Sequence, residues 1–300
     1  MYEVELQTLK AKLKETAKLV SDEVDSLIPK GHGLDKKLFE AIRYSLMAGG
    51  KRLRPFLVMS SSEIFDVPRK NALRVAAAVE MVHTYSLVHD DLPVMDDDDV
   101  RRGKPACHIK YDEATAILVG DSLITLAFDV LSHKDTHKDP EVRCKLIESL
   151  AFSSGSKGMV GGQMIDLVAE NKKLDLGNIT RLQRLKTGEL IAFACTAGAI
   201  LGKATESQYD SLHHFAHDLG LAFQIQDDLL DALGNEKKMG KKAGKDAKIG
   251  KATFVSILGI TRAKEQADLL VQQAIRHLKD FGNKADWLKK IAHFVVERQN

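Results

Sequence analysis

The 300-residue chain is 44% hydrophobic and 29% charged, which is enough apolar material for a sizeable core and too much for an intrinsically disordered chain. With 44 Lys and Arg against 42 Asp and Glu, the formal net charge is +2, so no general electrostatic pull toward nucleic acid or a membrane surface is expected. Cys107, Cys144 and Cys195 are odd in number, far apart and without paired metal spacing; neither a disulfide framework nor a zinc site follows, and a reducing, cytoplasmic compartment is the expectation. Residues Met1 to Glu5 carry no basic region followed by an apolar stretch, and no run of 18 apolar residues occurs, so secretion and stable membrane insertion are not expected.

Apolar residues recur at helical spacing from Leu6 through Leu9, Leu13, Ala17 and Val20, and again at Ala267, Val271, Ile275 and Leu278, while strand-like alternation is scarce. None of the six prolines lies between Glu141 and Asn300, leaving that stretch free for long helices. An all-α fold of about ten helices is predicted, with no linker to divide residues 1–300 into separate domains. Breaks are expected at Gly31 to Gly33, Gly49-Gly50, Asp66 to Pro68, Pro93 to Pro105, His133 to Pro140, Gly155 to Gly162 and 234–250. Asp139-Pro140 reads as an N-cap with a first-turn proline, and Thr205 with Gln208 as a capping box.

In chain order, the first chemical feature is Gly49-Gly50-Lys51-Arg52-Leu53-Arg54-Pro55. A glycine pair permits close backbone approach, and three cations at the start of a helix suit an oxyanion. An apolar stretch from Val75 to Val88 follows. It contains His83, either a core histidine or a group two helical turns above Asp90, and Tyr85, five residues before Asp90.

Asp90-Asp91-Leu92-Pro93-Val94-Met95-Asp96-Asp97-Asp98-Asp99 then sets six carboxylates within ten residues. Such a cluster at a helix C-terminus is unfavourable without a cation, because that end already carries partial negative charge. Hard oxygen donors suit Mg²⁺, which usually takes one or two carboxylates together with substrate phosphate oxygens. Pro93 interrupts the helix, so Asp90 and Asp96 converge only if the chain folds back, and Asp91 is placed to orient them. Arg101-Arg102-Gly103 adds two guanidinium forks suited to phosphate. Asp97, Asp98 and Asp99 read as a solvated loop.

Further along, Lys186-Thr187-Gly188 interrupts an apolar helical stretch, and a lysine there needs an anionic partner. Asp227-Asp228-Leu229-Leu230-Asp231 follows Phe223-Gln224-Ile225-Gln226 and aligns Asp227 with Asp231 at i, i+4. The segment from Gly234 to Lys251 has four glycines and seven lysines, which suits a cationic lid or an exposed linker.

Taken together, Gly-Gly-Lys-Arg-Leu-Arg-Pro, Asp-Asp-Leu-Pro-Val-Met-Asp with Arg-Arg-Gly, Gly-Gly-Gln-Met-Ile-Asp, Lys-Thr-Gly-Glu-Leu and Phe-Gln-Ile-Gln-Asp-Asp-Leu-Leu-Asp closely resemble the short-chain trans-prenyltransferases, in order from about residue 38 to residue 256. The resemblance implies an all-α isoprenoid-synthase fold around a deep central cavity, usually as a homodimer. It implies a Mg²⁺-dependent condensation of isopentenyl diphosphate with an allylic diphosphate, Mn²⁺ being a possible substitute. Asp90, Asp96 and Asp227 would hold the metal, supported by Asp91, Asp228 and Asp231. Arg101, Lys186 and Lys241 would bind the allylic diphosphate, and Gly50, Lys51, Arg54, His83 and Arg102 that of isopentenyl diphosphate. Thr187, Gln224 and Lys251 would line the reacting region, although Ala252 stands where a serine is expected.

Tyr85, with Ser86 beside it and two extra residues in the first aspartate motif, resembles a farnesyl-type cavity floor. Ordinary core packing is the competing reading for Tyr85. The competing functional readings are a longer-chain synthase making geranylgeranyl diphosphate or beyond, a terpene cyclase with a single diphosphate site, and a non-catalytic helical protein binding Ca²⁺ or a basic partner.

Overall fold

A computed structural model describes residues 2–169, 174–233 and 253–297. Helix α1 (Tyr2–Leu27) leads through a short 3₁₀ turn to α2 (Lys36–Leu46), α3 (Leu53–Ile64) and α4 (Arg69–Asp90). A two-residue antiparallel ribbon, β1 (Val100–Arg101) with β2 (Lys104–Pro105), then precedes α5 (Cys107–Lys110), α6 (Glu113–Ser132), α7 (Pro140–Ser154) and α8 (Met159–Ala169). After α9 (Leu176–Gln183) a π-helical turn, Arg184–Gly188, runs into α10 (Glu189–Leu201) and α11 (Glu206–Leu233). The chain closes with α12 (Phe254–Leu258), α13 (Ile260–His277), a 3₁₀ segment and α14 (Asp286–Glu297). The all-α expectation holds.

Local causes are visible at the helix starts. Asp112 accepts from the Thr115 N–H at 2.7 Å and caps α6, and Asp139 caps α7, where Pro140 occupies the first turn. Thr205 and Gln208 form the expected reciprocal box, with the Thr205 N–H donating to Gln208 Oε1 at 3.0 Å and the Gln208 N–H to Thr205 Oγ1 at 3.3 Å. On α1 the buried stripe runs through Leu9, Thr16, Val20 and Val24, with Leu13 packed beside it.

Helix α10 is buried on nearly all sides, from Glu189 to Leu201, as a helix apolar all round should be. It packs on α3, α11 and α7, while α4 lies between α3 and α6 and α13 covers α11. Small residues set the closest approaches. A Cβ on Gly198 would come within 2.3 Å of the Ser61 backbone, so α10 and α3 touch main chain to main chain.

Helix α6 is long and apolar enough to cross a membrane by length and composition, the single such helix among the described residues. One face, including Val119, Gly120, Leu123 and Ala127, is buried in this fold, and the helix packs against α4. Its other face leaves Ile117 and Leu118 exposed, as are Phe152 on α7 and Val160, Met164 and Val168 on α8. Cys107 and Cys195 are buried and Cys144 exposed, all three as free thiols.

Candidate active site

Helix α4 ends at Asp90 and the following chain folds back over that end. The Asp96 N–H donates to the Asp90 carbonyl at 2.8 Å and the Asp98 N–H to the Asp91 carbonyl at 3.2 Å, so the loop satisfies carbonyls that a helix terminus leaves open. This is the reversal that convergence of Asp90 and Asp96 requires. Burial pushes the Asp90 carboxyl up to about 6; nearby Asp96 and Asp91 add to this, while Lys186 and Arg101 oppose it. Asp91 itself is only 2% exposed. Arg101 Nε donates to its two oxygens at 2.8 and 3.1 Å, and Arg101 Nη2 also reaches Asp98 Oδ2 at 3.3 Å. Asp98, read above as part of a solvated loop, is therefore drawn into the Arg101 cluster.

Facing Asp90 across the cavity is the π-helical turn. A Cβ on Gly162 of α8 would stand 2.2 Å from the Lys186 amide nitrogen, so α8 and the turn pack with nothing between them. Lys186 Nζ donates to Asp166 Oδ2 at 2.6 Å, which supplies the anionic partner its burial demands. π turns inside helices reorient side chains, often at functional sites. The Thr187 hydroxyl donates to Gln224 Oε1 at 3.5 Å and Gln224 Nε2 donates to Asp228 Oδ1 at 3.0 Å, joining the turn to the second aspartate cluster on α11. Asp228 is 4% exposed and also accepts from the Phe254 N–H at 2.8 Å. Asp227 and Asp231 are half-buried on the same helix.

The basic segment before α3 converges on the same region. Gly49 and Gly50 have φ of +96° and +113°, and a Cβ on Gly50 would sit 2.6 Å from Arg102 Cζ; glycine is needed for both reasons. Arg102 donates to the Gly49 carbonyl and lies 3.7 Å from Glu80. Glu80, 1% exposed, pairs directly with buried Arg52. Arg54 Nη1 lies 3.4 Å from His83 Nε2, and Arg54 Nε is buried with no hydrogen-bond partner. Burial and the neighbouring Arg54, Arg102, Arg52 and Arg101 hold the His83 imidazole well below its usual range, hence neutral. Burial lowers Arg54 too, against the pull of Glu80 and Asp227, so the second acidic cluster acts on the first basic one. Lys51 is exposed.

A cavity of about 440 Å³ opens beneath Asp90. Arg54, His83, Lys186 and Thr187 stand on its wall with Tyr85 and Ser86, and Met159, Met164 and Leu167 of α8 form an apolar side. Gln163, whose Nε2 is buried without a partner, faces the same space. A larger hollow of about 670 Å³ lies elsewhere, between α7, α10 and the start of α11. None of the candidate catalytic, binding or metal residues lines it, and its Asp139, the cap of α7, pairs with Lys203. Volume alone would select the wrong place; the convergence of charge selects the smaller cavity.

Asp166, Glu80 and Gln163 were assigned no role from sequence, while Arg52, read there as one of three cations suited to an oxyanion, is instead buried against Glu80. Asp166 and Gln163 stand closest to what the sequence showed, within the Gly-Gly-Gln-Met-Ile-Asp segment, which was legible as a motif but not as a contact. Lys241 and Lys251 lie outside the described residues.

The donor set fits a hard divalent cation. Asp90 and Asp96 are carboxylates brought together at one helix end, and among the described residues no group of three His, Cys, Asp or Glu forms a ready-made cage.

One aspartate cluster, a basic segment and an interrupted helix stand around one hollow and are joined through Thr187 and Gln224 to the second cluster, the arrangement of a diphosphate-handling helical synthase. The chain belongs to the polyprenyl synthetase family, whose profile matches residues 35–293, and is a prenyltransferase. It is 43% identical to a geranylgeranyl diphosphate synthase of Cyanophora paradoxa, covering 96% of each chain. It is 44% identical to a farnesyl diphosphate synthase of Geobacillus stearothermophilus, covering 88% of this chain and 89% of the other. A crystal structure of an FPP/GFPP synthase from Zymomonas mobilis superimposes with a TM-score of 0.88 at 47% identity, covering 96% of this chain and 99% of that one.

Proposed function

We propose that residues 1–300 act as one catalytic domain that condenses isopentenyl diphosphate with dimethylallyl and then geranyl diphosphate, releasing (E,E)-farnesyl diphosphate. The observation that carries this reading is the cavity on which Asp90, Lys186, Thr187, Arg54 and His83 converge, with Tyr85 on its lining. Asp90, Asp96 and Asp227 would hold Mg²⁺, which would supply Lewis-acid stabilisation of charge on the diphosphate oxygens. Asp91 and Asp228 are engaged by Arg101, Gln224 and the Phe254 N–H and so orient rather than bind.

The remaining chemistry belongs to the chain's own groups. As the allylic C–O bond breaks, Lys186 and Arg101 face the charge growing on the leaving diphosphate, preorganised by Asp166 and Asp91. Arg54, Lys51, Arg102, Gly50 and His83 bind the second diphosphate, and the neutral His83 contributes a ring N–H there. Thr187 and Gln224 present oxygen dipoles to the allylic cation, and the methionines of α8 keep water away from it. The alkene of isopentenyl diphosphate attacks that cation, and loss of a proton to the departed diphosphate completes chain extension. No protein nucleophile is required. The exposed apolar residues Ile117 and Leu118 on the outer side of α6 favour a homodimer.

Incubation of the purified chain and Mg²⁺ with isopentenyl diphosphate and each allylic starter, followed by product chromatography, tests the reading. Farnesyl diphosphate is expected, and Tyr85→Ala should lengthen it. Geranylgeranyl or longer chains from the parent would reassign the product, a cyclic hydrocarbon would indicate a cyclase, and no metal-dependent turnover would defeat the proposal.

A further inference from the structure

Tyr85 does not stand alone at the cavity floor. It is followed one helical turn later by His89, and the two rings meet edge to face with centroids 5.1 Å apart and planes at 76°. Both line the cavity. His89 points its far edge into α6, where its Nε2 lies 3.1 Å from the Ile117 carbonyl oxygen, close enough for the ring N–H to donate. The ring fits there because the next turn of α6 carries Gly120. A Cβ at that position would lie 2.0 Å from His89 Nε2 and 2.4 and 2.7 Å from two ring carbons. Glycine inside a helix costs about 0.5–1 kcal/mol relative to alanine, and Gly120 is buried within a 20-residue helix.

The geometry points to Gly120 as a positioning residue for product length: the notch it leaves in α6 seats His89, and His89 in turn fixes the ring of Tyr85 at the end of the growing chain. The inference rests on the prenyl-elongation reading above. It extends the length gauge from one residue of α4 to a contact between α4 and α6.

The test is product chromatography of the full-length chain with Mg²⁺, isopentenyl diphosphate and dimethylallyl diphosphate, alongside thermal denaturation. In Gly120→Ala the displaced imidazole is driven toward Tyr85 and shortens the usable cavity, so the geranyl-to-farnesyl ratio should rise about tenfold, the scale on which a pocket discriminates small apolar increments. In His89→Ala the prop and its volume are both lost, and longer products should increase by a similar factor. The double variant Gly120→Ala/His89→Ala has no ring for the new methyl to meet and should match His89→Ala, with longer products. A purely structural glycine would lower the melting temperature and total turnover in Gly120→Ala while leaving the product ratio unmoved, and that result overturns the inference. If Gly120→Ala fails to fold, a parental ratio in both His89→Ala and the double variant overturns it equally. Absence of any prenyl product from the parent would overturn the functional reading and this inference with it, whereas parental ratios in every variant defeat this inference alone.

Discussion

The two aspartate clusters look alike as sequence and are built differently. In each, the second aspartate of the pair is almost fully buried and held by the protein: Asp91 by the Arg101 guanidinium, Asp228 by the Gln224 amide and the Phe254 N–H. The first cluster sits where α4 stops and is completed by a loop folding back from Asp96, whereas the second lies on an uninterrupted helix. The first therefore carries a cation of its own within ten residues. In the second, Asp228 accepts from the Gln224 amide and the Phe254 N–H, and Asp227 acts on a cation from a distant segment, Arg54. Similar carboxylate pairs can thus be stabilised by a local charge or by the assembled fold.

The largest expected effect strips both clusters of their outer member. Asp90→Ala and Asp227→Ala should each lower kcat by about 10²–10³ or more, the scale on which loss of one preorganised electrostatic group slows a reaction. Single-turnover ionisation of geranyl diphosphate measures this, and near-parental rates in either variant would remove that cluster from the mechanism.

Next come the inner members, where the construction differs. Asp91→Ala leaves a mostly buried guanidinium without its main partner and should cost about 3–5 kcal/mol of folding stability. Asp228→Ala leaves a buried N–H and an amide unsatisfied, about 1–3 kcal/mol. Urea denaturation of the metal-free protein ranks them, and a larger loss at Asp228 would invert the expected order.

The smallest effect has the opposite sign. Asp90 titrates near 6 in the fold against 3.8 for an ordinary aspartate. The folded state binds the extra proton between those values, so metal-free stability falls as pH rises through that window and levels off above it. Asp90→Asn removes the cost and should stabilise the metal-free protein by about 1–3 kcal/mol at pH 8, at roughly 1.4 kcal/mol per pKa unit, with the advantage shrinking toward pH 4. Melting temperatures in a chelating buffer at several pH values check this; an advantage that grows on acidification would contradict it. Added Mg²⁺ should stabilise the parent and not the variant.

Much of this site was legible along the chain because its elements are local. The glycine pair before α3, the apolar helix ending in carboxylates, and the Asp139 and Thr205 caps each need only neighbours within a few residues. The helical break at Lys186-Thr187-Gly188 was also visible, although its π-helical form was not. What stayed hidden were partnerships across long separations: Lys186 with Asp166, Arg52 with Glu80, Thr187 with Gln224, His89 with the notch at Gly120. A carboxylate twenty residues from a lysine has no periodic signature, and a glycine reads the same whether it ends a helix or makes room for a ring.

The sequence by itself determined the all-helical architecture and the kinds of chemical groups available, since periodicity, caps and charge clusters act over one or two helical turns. Tertiary structure alone decided which carboxylates are engaged by protein partners and which face the hollow, and what props the floor beneath them. Burial and the pairing it compels are properties of packed surfaces, and these exist only once distant segments have met.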